Sequence, residues 1–542
     1  MIGATLQRLG RQTAVYGFGD LLVKSLSFLL IPVFARVWDV AGPDMGLYGL
    51  LHLAEAVSYI FFNLGLATAV IKVLADYHHG RARGSVVYTT VGLLLTLSLG
   101  LFLLIWAAAA PAASLLFKAD VAAAGGVTLL RLTLLATYLS TFRFIAYSML
   151  RVEGRPWLYT ILNLVNFAVY VGTAIWLVVV ERLGVQGVVF ANLTASIVML
   201  ALSAWLLQAR AKRPFSARKA GQLLAFGFPL LPNGLALWAL ALLDRVLLYQ
   251  WGPGADEAAR LALTGVYDVA YRFGMIVSFL IVIPLRTAWV PMLFEVRDNP
   301  EAPALYGRLL TWVFALGCGL ALALGVLAPE IIAVAAGPDW LAAAAPLPLI
   351  AFGYVAYGTS QVADAGILAQ ARTALYPVIT LSSVLVNIAL CVLLIPDRGI
   401  VGAAWATLGA YTWHALMVAR VSHGVFPYRV EVRRLLLVLA VTVGVLLLAG
   451  RVPAEWSLPL RTVVKTGLWL LYPLVLGLIG FLSADERAGL RRLWKRIRGG
   501  PGSPGRGPGS TGGGVGGPSG RPMGEDRWAD DGFPNIDEDL AS

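Results

Sequence analysis

About fourteen long apolar runs, each bounded by charged or turn-forming residues, dominate this 542-residue chain. A helix needs about 20 apolar residues to cross a bilayer, where its backbone must satisfy its own hydrogen bonds. The first six runs are 15–37, 46–73, 85–108, 126–148, 156–180 and 185–208. The next eight are 221–250, 262–290, 304–328, 341–366, 373–395, 399–420, 433–450 and 462–482. The sequence therefore predicts an all-α integral membrane protein with about fourteen transmembrane helices.

The composition excludes an ordinary soluble domain. Hydrophobic residues make up 58% of the chain and charged residues 13%, whereas soluble domains carry roughly 25% charged residues. The formal net charge is +12, which cytoplasmic loops rich in Lys and Arg explain. No DNA- or RNA-binding motif accompanies this charge, so we expect no nucleic-acid partner.

The basic residues are concentrated in alternate loops, which predicts the orientation. The richer loops hold Arg8, Arg11, Lys72, Arg81, Arg83, Arg151, Arg155, Arg210, Lys212, Arg213, Arg218, Lys219, Arg429, Arg433 and Arg434. The opposite loops hold few basic residues. Because the richer side is normally cytoplasmic, we expect a multi-pass protein of the cytoplasmic (inner) membrane with both termini in the cytoplasm.

Short motifs recur in the same order at offsets of about 215–220 residues. The echoed segments are Gly46-Leu-Tyr48 with Gly265-Val-Tyr267, Arg155-Pro-Trp-Leu-Tyr159 with Arg372-Thr-Ala-Leu-Tyr376, and the runs that begin at Gly184 and Gly399. They predict two six-helix lobes related by a parallel repeat, 1–210 and 211–425, followed by two additional helices in 426–482. In transporters built from such repeats the substrate site lies at the lobe interface.

The last segment, 483–542, differs in character from the rest of the chain. It begins with a basic stretch that is expected to lie on the anionic lipid surface. A Gly/Pro-rich linker and an acidic tail follow, and their composition is typical of disorder. We therefore expect this segment to be cytoplasmic and to add nothing to the membrane core.

The sequence holds no pattern typical of an enzyme or of a metal or cofactor site. Cys318 and Cys391 lie inside apolar runs and are interpreted as small core residues. The five histidines show no ligand spacing, and motifs such as GxSxG, HExxH or a phosphate-binding glycine loop are absent. We predict no catalytic residues, no metal and no cofactor.

Ionisable residues inside the apolar runs are the candidate functional groups, because a charge in a membrane is costly without a task or a partner. Cationic candidates for binding an anionic substrate are Lys24, Arg131, Arg245, Arg272, Arg143 and Arg286. Acidic candidates for coupling or gating are Asp20, Glu55, Asp244, Asp268 and Asp364. Arg272 lies near the predicted midplane and is the leading candidate.

Internal pairing is the alternative interpretation of these charges. Asp268 and Arg272 are four residues apart on one predicted helix, as are Asp20 and Lys24, and such pairs can neutralise each other. Glu55 is a second possible partner of Lys24. For Arg143 and Arg286, extension of the side chain to the membrane interface is the competing explanation.

Several motifs resemble those of polysaccharide-export flippases (Wzx-like), which share the MOP superfamily with MATE drug exporters and lipid II flippases. The motifs are Gly17-Phe-Gly-Asp-Leu-Leu-Val-Lys24, Ile31-Pro-Val-Phe-Ala-Arg36, Gly46-Leu-Tyr48, Arg151-Val-Glu-Gly-Arg155, Phe226-Gly-Phe-Pro229, Asp244-Arg245, Gly265-Val-Tyr267 and Ala270-Tyr-Arg272. The resemblance covers roughly 10–482. It implies a pair of six-helix lobes that together form a V, and the transfer of polyprenyl-pyrophosphate-linked oligosaccharides from the inner to the outer leaflet.

The implied partners are a lipid-linked oligosaccharide and membrane lipid, with polysaccharide assembly proteins as further candidates. Three alternative functions stay open at this point. A lipid II flippase would share the fold and the cationic cavity. A MATE-like cation antiporter would need an acidic cavity, and a membrane glycosyltransferase would need large loops with catalytic carboxylates.

Overall fold

The computed structural model describes residues 30–482, except 78–80, 118–124, 209, 212–213, 297–298, 371 and 454, together with 486 and 487. Asp20 and Lys24, most of the run 15–37, and nearly all of the predicted tail lie outside the described residues. The described residues up to Phe481 belong to one compact unit. We call 30–210 the first half and 211–425 the second half.

The first half is a series of helices joined by short turns. Its helices are α1 (Leu30–Val37), α2 (Asp44–Asn63), α3 (Leu66–Asp76), α4 (Arg81–Leu93), α5 (Leu99–Ala107), α6 (Ala109–Leu116), α7 (Val127–Thr141), α8 (Arg143–Val152), α9 (Pro156–Ile175) and α10 (Gly184–Gln208). A π-helical turn, Leu94–Ser98, joins α4 to α5, and another, Trp176–Val180, extends α9. Pro156 is the first residue of α9. A backbone N–H at this position would have no partner within the helix, so proline, which lacks it, is well tolerated there.

The rest of the described chain is also helical. Its helices are α11 (Ala217–Gly227), α12 (Leu231–Trp251), α13 (Glu257–Gly274), α14 (Ile283–Val296), α15 (Ala302–Val326), α16 (Ala328–Ala335), α17 (Leu347–Ala363), α18 (Ala365–Ala369), α19 (Tyr376–Val425), α20 (Val432–Ala449) and α21 (Leu458–Leu478). Asp256 caps α13, since its Oδ1 accepts from the Ala259 N–H at 2.8 Å. This cap fixes the start of the helix that carries Asp268 and Arg272.

Among the described residues, ten helical segments are long and apolar enough to cross a membrane, and some of them, such as Asp44–Leu74, join two consecutive helices. The number is eleven if the bent pair Pro338–Ala344 and Leu347–Ala369 forms one span. The predicted all-α membrane architecture is confirmed, whereas the count of fourteen is not. The segment α19 covers both predicted spans, 373–395 and 399–420, and consists of two helices that meet at a kink between these spans, where Gly399 has the non-helical values φ 51° and ψ −127°. The run 15–37 is described only from Leu30.

The repeated motifs adopt matching backbone conformations in the two halves. Gly184 and Gly399 both have a positive φ, 57° and 51°, a conformation that a residue without a Cβ adopts at little cost. The Arg155 and Arg372 N–H groups each donate to the carbonyl five residues earlier, both at 2.9 Å. These matches support the interpretation of the sequence echoes as a structural repeat.

The two halves meet where α2 crosses α13. A Cβ added to Gly46 would lie 2.2 Å from the Leu261 carbonyl oxygen, so only glycine permits this approach. Near the same end of the molecule, the Trp340 Nε1–H donates to the Ala35 carbonyl at 2.7 Å, and Arg36 Nη2 donates to the Val334 carbonyl at 2.6 Å. Backbone contact and hydrogen bonds therefore hold the halves together at this end.

The last described helix, α21, is attached to α15 and α16 of the second half by polar contacts. Lys465 Nζ donates to both carboxylate oxygens of Glu330, at 2.8 and 3.0 Å, and both residues are buried. The Trp469 Nε1–H donates to the Gly319 carbonyl and the Tyr472 hydroxyl to the Ala315 carbonyl, at 2.8 and 2.7 Å. A buried ion pair thus fixes the position of α21.

Candidate substrate-binding site

A cavity of about 380 Å³ lies between the two halves. Helices α2, α7, α9 and α10 line it from the first half, and α13 contributes Arg272 from the second half. Arg143, the first residue of α8, is a second cation in its wall. The cavity therefore combines guanidinium groups from both halves.

Arg272 has one part of its guanidinium paired and another part unpaired. Its Nε donates to Asp268 Oδ2 at 2.5 Å, and its Nη1 lies 3.4 Å from the Tyr48 hydroxyl. The guanidinium carbon lies 4.5 Å from the centre of the Tyr48 ring, a cation–π contact between the halves. Among the described residues, Nη2 has no hydrogen-bond partner and is shielded from solvent, so an acceptor that enters the cavity would reach it after a local rearrangement of the side chain.

Asp268 also pairs with Arg245, whose Nε donates to Asp268 Oδ1 at 2.8 Å. Arg245 is 3% exposed and its guanidinium carbon lies 4.0 Å from the centre of the Tyr271 ring. Asp244 completes the cluster, since it accepts from Arg245, Tyr267 and Thr407 at 3.2, 2.5 and 3.0 Å. Arg245 does not line the 380 Å³ cavity; it holds Asp268, which in turn orients Arg272.

Arg143 and Arg131 occupy different environments. Within the described part of the chain, Arg143 forms no ion pair, and its guanidinium carbon lies 5.8 Å from the Tyr147 ring centre. Arg131 does not line the cavity; its guanidinium lies 4.9 Å from the Trp106 ring centre. Of the predicted cationic residues that the structure describes, Arg143 and Arg272 are therefore the two that line one cavity together.

Arg286 and Asp364 form a separate site in the second half. Arg286 Nη1 donates to Asp364 Oδ2 at 2.6 Å, and the Tyr376 hydroxyl donates to the same oxygen at 2.7 Å. These residues line a second cavity of about 140 Å³. The structure therefore places this predicted cation and acid away from Arg272.

The polar residues that sequence reasoning missed are mainly uncharged. Asn166, Tyr170 and Asn192 line the same cavity as Arg272. Asparagines in the middle of apolar runs were the available signal, because an amide in a membrane also needs a partner. The buried pair of Glu330 and Lys465 was missed as well, since Glu330 lies at the edge of a predicted span.

Comparisons with known proteins agree with this architecture. The family model described as polysaccharide biosynthesis protein (Polysacc_synt_3) matches residues 33–345, more than half of the chain. No curated protein sequence matches the chain.

Solved structures of transporters share the fold. The lipid II flippase MurJ in an inward closed conformation superposes with a TM-score of 0.69 at 15% identity, covering 85% of this chain and 98% of that chain. An inward-facing multidrug resistance MATE transporter of the MOP superfamily gives 0.59 at 14% identity, covering 78% and 99%. The MATE transporter VcmN of Vibrio cholerae gives 0.55 at 15% identity, covering 78% and 98%. The chain therefore belongs to the polysaccharide biosynthesis protein family and has the fold of the MurJ and MATE transporters.

Proposed function

We propose that this protein is a flippase that moves a polyprenyl-pyrophosphate-linked oligosaccharide across the cytoplasmic membrane by alternating access. The observation that carries the proposal is Arg272, a cation in a cavity between the two halves with an unpaired Nη2. Family membership and the transporter fold support the same class of function.

The chemistry of the cavity suits a pyrophosphate group. Its oxygens are anionic acceptors, and a guanidinium offers several donors in a fixed planar arrangement. Arg143 has no ion-pair partner among the described residues, and Arg272 keeps a donor free beside its Asp268 contact. Pyrophosphate binding would use both groups and would compete with Asp268 for Arg272.

Movement of the halves is the second part of the proposal. Residues 1–210 and 211–425 act as lobes that rock about their contact, 426–482 adds two helices, and 483–542 is a cytoplasmic tail. Arg143 and Arg272 belong to different lobes, so rocking would change the distance between them. The polyprenyl chain stays in the lipid while the head group passes through the cavity.

A lipid II flippase is the second candidate function. The observation in its favour is the TM-score of 0.69 with MurJ, which exceeds the 0.59 of the MATE transporter. Lipid II would present the same pyrophosphate to Arg143 and Arg272. The two candidates therefore differ only in the glycan that the cavity accepts.

Transport by the purified protein in proteoliposomes tests the proposal. The probes are a fluorescent polyprenyl-pyrophosphate oligosaccharide, a fluorescent lipid II analogue and an organic cation, each measured with protein-free vesicles as the control. We expect the oligosaccharide lipid to cross fastest. Faster transport of lipid II would favour the second candidate, and transport of the organic cation alone would contradict both.

A further inference from the structure

Glu55 is a carboxylate in a cavity that otherwise carries cations. It lines the same 380 Å³ space as Arg143 and Arg272. Its side chain is 35% exposed, and among the described residues its charged neighbour within 4 Å is His52, at 3.6 Å. Among the described residues, no Lys or Arg lies within 4 Å of the Glu55 carboxylate, so its charge faces the cavity without a permanently cationic partner.

A carboxylate in this position works against the binding of phosphate, since like charges repel. Arg272 already has Asp268 as its acidic partner, so Glu55 is not needed to balance it. Its carboxylate would therefore weaken a site that only had to hold pyrophosphate. The hydroxyl groups of the glycan, which donate hydrogen bonds, are a better match for the Glu55 carboxylate.

Glu55 belongs to a group of side chains that suits a sugar ring. Asn192, from α10, and Asn166 and Tyr170, from α9, line the same cavity as Glu55. A carboxylate accepts hydrogen bonds, an amide both donates and accepts, and a tyrosine offers an apolar ring with a polar hydroxyl. Sugar hydroxyls need both donors and acceptors close together.

The sugar group and the cations are adjacent. All four residues line the same cavity as Arg143 and Arg272, and so does Tyr48, whose hydroxyl lies 3.4 Å from Arg272 Nη1. A pyrophosphate on the arginines would therefore place the first sugar, which is bonded directly to it, against Glu55, Asn166, Tyr170 and Asn192. The next sugars would extend away from this wall.

We propose that Glu55, Asn166, Tyr170 and Asn192 form a subsite for the first sugar of the lipid-linked glycan and that Glu55 selects an uncharged sugar there. This inference rests on the proposed function. Glu55 would accept hydrogen bonds from the hydroxyls of a neutral hexose. A uronic acid would bring a second carboxylate to the same place, where repulsion in a partly desolvated cavity excludes it.

The test uses two lipids that differ only at the first sugar, polyprenyl-pyrophosphate glucose and polyprenyl-pyrophosphate glucuronic acid. Transport of each is measured in proteoliposomes that contain the full-length protein. We expect wild-type protein to move the glucose lipid at least about ten-fold faster, which corresponds to about 1.4 kcal/mol. Equal rates for the two lipids in wild-type protein would overturn the subsite, and this comparison needs no variant.

Two variants isolate the charge of Glu55. Glu55→Gln keeps the shape of the side chain and removes its charge. In this variant we expect the ratio of the glucose-lipid rate to the glucuronate-lipid rate to fall below about three-fold, because transport of the glucuronate lipid becomes faster. In Glu55→Asp, which keeps the charge, we expect the preference for glucose to remain. A Glu55→Gln protein that inserts normally and keeps the wild-type ratio would contradict the role of Glu55.

The same assay separates the subsite from the proposed function. Arg272→Lys, which should keep part of the transport activity, should slow both lipids while the ratio between their rates stays near that of wild-type protein. If folded wild-type protein moves neither lipid above protein-free vesicles, the proposed function fails and the subsite fails with it. If it moves both equally, the flippase assignment stands and the subsite alone is overturned.

Discussion

Gly46 and Gly265 pack backbone against backbone where α2 of the first half crosses α13 of the second. A Cβ added to Gly265 would lie 3.0 Å from the Gly46 nitrogen. These two glycines begin the echoed sequences Gly46-Leu-Tyr48 and Gly265-Val-Tyr267. The two echoed segments thus contact each other at one end of the molecule, close to Tyr48 in the cavity wall.

Replacement of Gly46 by alanine should destabilise this crossing. The new Cβ would lie 2.2 Å from a backbone oxygen, and an overpacked contact typically costs about 1–3 kcal/mol. We expect the variant to lose several degrees in apparent melting temperature in detergent, and its transport should slow. Gly172→Ala is the matched control, because a Cβ there meets nothing within 4 Å. A Gly46→Ala protein as stable as Gly172→Ala would contradict the close crossing.

The buried pair of Glu330 and Lys465 should matter more for stability than for transport. Removing one partner of a buried ion pair typically costs about 3–5 kcal/mol, and here Arg461, whose Nε lies 3.4 Å from Glu330, would offset part of that cost. We therefore expect Lys465→Met to yield less folded protein. The double variant Glu330→Gln with Lys465→Met should recover part of the loss. Full stability of the Lys465→Met single variant would show that the pair contributes little.

The sequence predicts that Arg131 binds substrate, but in the structure Arg131 does not line the cavity that holds Arg272. The described cavity includes Arg143 and Arg272 but not Arg131. We expect Arg131→Ala to transport lipid-linked oligosaccharide within about two-fold of wild-type protein, while Arg143→Ala falls at least about ten-fold, a loss of about 1.4 kcal/mol. The measurement is the initial rate in proteoliposomes at matched protein levels. A greater loss of transport rate in Arg131→Ala would indicate that Arg131 does contact the substrate.

Orientation remains a prediction from the basic loops. A reporter that is active only in the cytoplasm, fused after residue 482, should be active, because the loops rich in Arg and Lys lie on that side. A reporter fused after Arg182 should be inactive, since that loop is on the poorer side. The reverse pattern would show that the orientation is inverted.

Features that depend on short-range pattern could be predicted from the sequence. The apolar runs predicted the helices, and the spacing of Asp268 and Arg272 predicted a pair that the structure confirms at 2.5 Å. The motif echoes predicted that Gly184 and Gly399 are equivalent, and both adopt a positive φ. Each of these features is set by residues close together in the chain or by repetition within it.

Features that depend on how distant helices pack could not be predicted in this way. Arg245 reaches Asp268 on the next helix, and no spacing in the sequence indicates which cation the carboxylate prefers. Asn166, Tyr170 and Asn192 converge because α9 packs against α10, which in turn packs against α2. The separation of Arg286 from Arg272 into two cavities likewise follows from tertiary packing.

The central claim is that Arg272 binds the pyrophosphate of a lipid-linked glycan, and its direct test is the transport rate of Arg272 variants in proteoliposomes. Arg272→Ala should insert normally and lose transport, and Arg272→Lys should keep part of it, because lysine retains the charge without the planar donor pair. A purely structural role predicts instead that Arg272→Ala lowers the amount of folded protein and that adding Asp268→Ala restores it. Wild-type transport by a well-folded Arg272→Ala protein would contradict the claim.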